Sequence, residues 1–190
     1  MATKGFRERI LEVYEDGSAL ASSTSETSLL PNSAYNCGIG LGRFLIGSVM
    51  CFDFSGRIST VVTTPGTLTL AIRFGSIDVF SSGAIPLNTT AQTNVHWSLR
   101  GELVVRAVGT GTVTKFFPKS CVFTSRAVIG SSAAGTAGVG TEILPYNTAP
   151  AVGSGWDNST SQLIDFMATW SVSNAANSIT LHCGSIDVYT

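Results

Sequence analysis

The hexapeptide Gly75-Ser76-Ile77-Asp78-Val79-Phe80 returns at the end of the chain as Gly184-Ser185-Ile186-Asp187-Val188-Tyr189. The residues before each copy correspond as well, with Leu70, Ile72 and Phe74 matching Ile179, Leu181 and Cys183. Both stretches alternate apolar and polar residues, the period of a half-buried β-strand. At the glycine the alternation changes phase. The large apolar residues occupy even positions from Leu68 to Phe74, then odd positions at Ile77 and Val79. In the second copy they pass from Ile179, Leu181 and Cys183 to Ile186 and Val188. Successive strand side chains point to opposite faces, so a phase change turns the apolar row to water unless one residue is absorbed. A Gly-Ser pair absorbs it either as a β-bulge or as a two-residue turn, and the bulge is the preferred expectation for both copies.

The rest of the chain reads as more strands of the same kind. Residues 49–54 alternate around Phe52 and Phe54, Ser55-Gly56 is expected to break the run, and residues 57–64 form a β-branched stretch. Pro65-Gly66 is a turn signal. Residues 95–108 place Trp97, Leu99, Leu103 and Val105 on one parity. Residues 113–117 end at Pro118, residues 121–129 alternate again, and residues 163–170 and 177–188 are the final strands. Residues 130–140 are almost all Gly, Ala, Ser and Thr, a loop without the lysine of a phosphate cradle. No sustained helical period runs through the body. A length of 190 residues suits one hydrophobic core. The expectation is an all-β protein, a single antiparallel β-sandwich with jelly-roll-like connections. Residues 1–9 are expected as an exposed N-terminal arm and residues 10–190 as the sandwich, with a first strand over residues 10–14.

Composition then narrows the function. Only 12% of residues are charged against about 25% in ordinary soluble domains, while 44% are apolar and mean hydropathy is +0.30. No run approaches the roughly 18 apolar residues of a membrane helix, so no membrane partner is expected. A net charge of −1 without a basic cluster argues against nucleic acid. A surface so poor in charge is weakly protected against association, which implies that association is part of the function. Cys37, Cys51, Cys121 and Cys183 are widely spaced and are expected as buried free thiols. Together with an N-terminus lacking an apolar signal core, they suit folding in a reducing cytoplasm.

Motifs for chemistry are sparse. His182 and Cys183 are adjacent on a strand and so face opposite ways, unable to share a metal. Gly153-Ser154-Gly155 lacks the strand and helix of a nucleophile elbow. Asp78 and Asp187 hold equivalent places in the repeat, where a hydrogen bond supporting the bend is expected rather than an acid–base pair. No cofactor, metal or enzyme activity is expected. Trp97 and Trp170 fit the core. Trp156, in the polar loop GSGWDNSTS, is the one tryptophan expected to be exposed and able to meet a ligand or partner.

Several segments carry a family resemblance: Asp16-Gly17, Glu26-Thr27-Ser28-Leu29-Leu30-Pro31, Gly56-Arg57-Ile58-Ser59 and Thr64-Pro65-Gly66-Thr67-Leu68. Trp97-Ser98-Leu99-Arg100-Gly101-Glu102-Leu103, Val105-Arg106-Ala107-Val108-Gly109, Ala168-Thr169-Trp170 and Asn177-Ser178-Ile179-Thr180-Leu181 continue it. With them the chain resembles a family of tailed-bacteriophage virion proteins. The resemblance implies an oligomeric, trimeric jelly-roll module without catalytic residues. It would serve as a capsid decoration (cement) protein on the outer shell, or in a tail appendage that recognises a host surface glycan. In the first case the partner is the major capsid protein, and Lys4, Phe6, Arg7 and Arg9 of the arm are the expected contacts. The protein would be made in the host bacterial cytoplasm and reside on the outer capsid surface of the virion.

Overall fold

The computed structural model describes residues 5–39, 42–130 and 138–190, and these contain thirteen β-strands and no helix. In chain order they are β1 (Arg7–Val13), β2 (Leu20–Ala21), β3 (Thr27–Ser28), β4 (Tyr35–Asn36), β5 (Val49–Thr60), β6 (Thr67–Phe74) and β7 (Ile77–Ser81). They continue with β8 (Ile85–Pro86), β9 (Gln92–Ala107), β10 (Lys115–Ile129), β11 (Val139–Leu144), β12 (Ile164–Trp170) and β13 (Ser178–Tyr189). One sheet runs β11-β10-β9-β5-β13-β1-β4, with β2 added beside β13. The other runs β3-β12-β6-β7, with β8 beside β6. The pairs are antiparallel and nested: β5 pairs with β13 in the large sheet, and β6 with β12 in the small one. The expected all-β sandwich of two antiparallel sheets is therefore what the chain forms.

Aromatic side chains join the sheets. Phe54 of β5 stacks on Phe166 of β12 with ring centroids 4.1 Å apart, and Phe52 meets Phe80 of β7 at 5.3 Å. Trp97 of β9 also reaches Phe166, at 6.2 Å. Its indole N–H is satisfied by the Arg57 carbonyl, so the ring is buried without an orphaned donor. These residues belong to one continuous buried cluster drawn from both sheets.

The two repeat copies resolve their phase change by different means. In the first, Phe74 pairs with Ile77, so Gly75-Ser76 is the two-residue turn of the β6–β7 hairpin, and Gly75 has a φ of +59°. That corrects the expectation of a bulge at this copy. In the second, β13 runs on through Gly184-Ser185, and the register against β5 slips between Leu181 and Cys183. His182 is the extra residue of a bulge, as expected for this copy, although it sits two residues ahead of the glycine. Ile179 and Leu181 are buried on one parity, and Ile186 and Val188 on the other.

Two expected breaks are absent. Strand β5 passes straight through Ser55-Gly56, because Met50, Phe52, Phe54, Ile58 and Thr60 keep one parity and are all buried. Gly56 is there for closeness: a Cβ would lie 1.9 Å from the Thr180 carbonyl oxygen of β13. Strand β10 likewise continues past Pro118, which pairs with Leu103 beside a register slip between Lys119 and Val122. A proline's missing donor is tolerated at such an irregularity. The first strand also begins earlier than expected, at Arg7, so Arg7 and Arg9 lie in the sheet rather than in a free arm.

Candidate interaction surfaces

Arg7 and Arg9 are two apart on β1, which places both side chains on one face of the strand. Opposite them on β13 stands Asp187, whose side chain is only 9% exposed. Arg7 donates from Nη2 to Oδ2 at 2.8 Å, and Arg9 from Nε to Oδ1 at 3.1 Å. Arg9 also donates to Glu12 at 2.8 Å, and the Arg7 guanidinium sits 5.5 Å from the centre of the Tyr189 ring. Burial pushes the Asp187 carboxyl up, but the hydrogen bonds and charges of Arg7 and Arg9 outweigh it and hold the group below the usual carboxylate range. Of the four expected arm contacts, two are thus engaged within the protein. Phe6 is 63% exposed and continues the β1–β13 ladder by exchanging two backbone hydrogen bonds with Thr190. Lys4 lies outside the described residues.

Asp78, the other aspartate of the repeat, accepts from Arg73 Nε at 2.8 Å, and Arg73 also reaches Glu26. Arg73 and Asp78 are opposed across the Gly75-Ser76 turn, so this hydrogen bond supports the bend as expected for the first copy, whereas Asp187 takes Arg7 and Arg9 from β1 instead. The i, i+2 spacing of Arg7 and Arg9 is the sequence signal for the Asp187 pairing, since it puts both guanidinium groups on one face once residues 7–9 are a strand.

Trp156 is 1% exposed, which overturns its expected role as an exposed contact. Its ring stacks on Phe116 at 5.8 Å and meets Phe44 and Phe74 edge-on at 5.4 and 5.0 Å. Backbone hydrogen bonds between Trp156 and Thr114 in both directions fasten the polar loop just ahead of the start of β10. Gly155 is required by that approach, since a Cβ would lie 1.7 Å from the Thr112 carbonyl oxygen. The loop looks free in the sequence because its flanks are polar; one aromatic anchor holds it.

The residues singled out for chemistry do not converge. His182 Nδ1 lies 2.6 Å from the Asp16 carboxylate, whereas the neighbouring Cys183 contacts Ser55 Oγ at 3.0 Å. His96 is exposed on β9. Among the described residues no group of three His, Cys, Asp or Glu is placed to hold a metal. All four cysteines are free, but only Cys121 is buried; Cys37 and Cys183 are exposed and Cys51 is half-buried, which corrects the expectation of buried thiols. Burial pushes the Cys121 thiol up to about 11, leaving it protonated and unreactive. Cys183 escapes the core because the bulge at His182 turns it to the outer face.

Several exposed apolar side chains lie at one end of the sandwich, although others, such as Val62 and Tyr14, stand at the opposite ends of β5 and β1. The start of β5, the end of β9 and the end of β13 meet there, with Val49 opposite both Val104 and Tyr189. The turn over residues 45–48 is closed by the Ser48 N–H donating to the Leu45 carbonyl at 3.0 Å. Gly47 takes a φ of +91° and donates to the Val105 carbonyl, pinning the turn to β9. Leu45 and Ile46 stand out from this rigid support 63% and 74% exposed, and Val113, Phe6 and Tyr189 are exposed beside the same strand ends. Residues 44–48 and 108–114 contain no charged side chain.

No protein-family model matches the chain, and no characterised protein matches it in sequence.

Proposed function

We propose that the protein is a capsid decoration (cement) protein of a tailed bacteriophage. In this reading it binds the outer surface of the assembled shell as an oligomer, a trimer by the family resemblance, with the major capsid protein as its partner and no enzymatic role. The nested pairing of β5 with β13 and β6 with β12 suits the jelly-roll ancestry that the resemblance implies. The observation that carries the reading is the pair of exposed apolar side chains, Leu45 and Ile46, on the turn before β5. Leu45 and Ile46 sit on a backbone already fixed by Gly47 and Ser48, so burying them on a partner sacrifices little conformational freedom. Fully burying two such side chains is worth about 1.5–3 kcal/mol each.

The mechanism is thermodynamic. A protein that binds the assembled shell and not its dissociated subunits stabilises the shell by linkage. Repetition over a symmetric lattice multiplies contacts that are modest singly. Because Arg7 and Arg9 are held by Asp187, the docking contacts in this reading are Leu45, Ile46 and Val113 together with Phe6.

Replacing Leu45 and Ile46 by serine is expected to leave the fold intact and to lower occupancy on purified capsids severalfold. Full occupancy by L45S/I46S would overturn the proposal. Counting copies per particle tests the location: hundreds are expected for cement, and a handful would favour the tail-appendage alternative. The glycan-binding form of that alternative rests on an exposed Trp156 together with the loop over residues 130–140, of which residues 131–137 lie outside the described residues. With the indole in the core, Trp156→Ala is expected to cost about 3–5 kcal/mol of stability, read by denaturant unfolding.

A further inference from the structure

Residues 5–9 are held differently from the rest of the large sheet. Gly5, Phe6, Arg7 and Arg9 are exposed and Glu8 is half-buried, so the segment supplies no core side chain. Its ladder partner is β13 alone among the described residues, because β4 reaches only Leu11 and Glu12. A register slip at Ile10 separates it from Leu11 and Val13, which are buried along with Ile10 itself. The segment is held by its β13 ladder, the Asp187 pairs and an ion pair from Glu8 to Arg43 rather than by core packing, and a strand half of that kind opens more readily than the core.

The site it occupies is more demanding than the segment. Asp187 is nine-tenths buried, and Arg7 and Arg9 supply its ion pairs. A buried carboxylate left without its partner is strongly unfavourable, so the edge of β13 favours an occupant with arginines two residues apart. A second copy of the chain carries that sequence, and the contacts it would make are the same ones. We propose that residues 5–9 are an exchangeable strand, hinged at the bulge around Ile10, that docks on β13 of a second copy and so links copies of the protein. Exchange of an identical element is a low-cost route to association. The inference does not depend on what the oligomer coats.

Phe6 and Thr190 exchange backbone N–H···O hydrogen bonds of 3.1 Å in both directions, the pairing that brings opposed Cα atoms to about 5.5 Å, within disulfide range. The test uses the full chain with the exposed Cys37 and Cys183 replaced by serine. Phe6→Cys and Thr190→Cys single variants are mixed under mild oxidation and run on a non-reducing gel, beside each variant alone and the double variant. The expected result is a covalent dimer in the mixture that neither single variant gives alone. Adding R7E/R9E to the Phe6→Cys chain should abolish that dimer. Two results would overturn the proposal. One is a double variant that closes entirely within its own chain while the mixture gives no dimer, since internal closure reports a folded and correctly paired strand. The other is a mixed dimer undiminished by R7E/R9E, which marks random collision.

Discussion

Gly75–Phe80 and Gly184–Tyr189 differ by one letter, yet one forms a hairpin and the other runs through a strand that spans the large sheet. Their glycines serve opposite needs. Gly75 is required by conformation: its φ of +59° lies in the left-handed region, and the nearest obstacle to a side chain is the movable end of Gln162. Gly184 is required by space: its φ is not in that region, but a Cβ would lie 2.3 Å from the Phe54 ring. The aspartates diverge in the same way. Asp78 is 42% exposed beside Arg73, whereas Asp187 is buried beneath Arg7 and Arg9. Surroundings, not the local sequence, decide what each letter does.

The largest expected effect separates the glycines. Gly184→Val pushes on Phe54, which is fully buried and stacked on Phe166, and is expected to cost about 3 kcal/mol in chemical denaturation. If Gly184→Val unfolds no more easily than wild type, the packing account of this glycine is wrong. Next comes Asp187→Asn, which weakens two charge-assisted contacts in a buried setting and is expected to cost about 2 kcal/mol. Gly75→Ala should cost about 1 kcal/mol through its backbone alone. Gly75→Asn should recover part of that loss, because asparagine tolerates the left-handed region. Asp78→Asn is expected to fall within about 0.5 kcal/mol, since the pair is solvent-screened and Arg73 keeps Glu26.

Acid sharpens the same contrast. Asp187 has a folded-state pKa below its unfolded value of about 4, so its contribution is fully present above about pH 4. It is lost as pH falls through the depressed folded value. Thermal melts between pH 6 and pH 2 should therefore show a steeper acid decline for wild type than for Asp187→Asn. Parallel declines would place the acid-sensitive group elsewhere.

Much of the sandwich is legible in side-chain parity. The residues at 50, 52, 54 and 58 and at 97, 99, 103 and 105 are buried, and the final strands fall within a residue or two of their expected limits. Parity also tells where a breaker leaves the strand undisturbed, though not whether a phase change is met by a turn, since Gly184 marks one too and the strand continues. Gly75 sits where the apolar phase changes, and the chain turns; Gly56 sits where the phase is kept, and the strand continues. The candidate surfaces were harder to read. Arg7 and Arg9 look like a charged tail until Asp187, 178 residues beyond Arg9, comes alongside. Trp156 looks exposed because only three-dimensional packing brings Phe44, Phe74 and Phe116 around it.

By itself the sequence determined the class of fold: alternation with a period of two, without a sustained helical stretch in the body, leaves sheets as the way to bury the apolar residues. It also determined that both repeat copies must absorb one residue, because a strand's two faces cannot exchange roles otherwise. Whether that residue became a turn or a bulge was decided by tertiary structure. At Gly75 the hairpin lets β7 fold back on β6, while at Gly184 the chain is already flanked by β5 and β1, and a strand paired on both sides extends rather than turns.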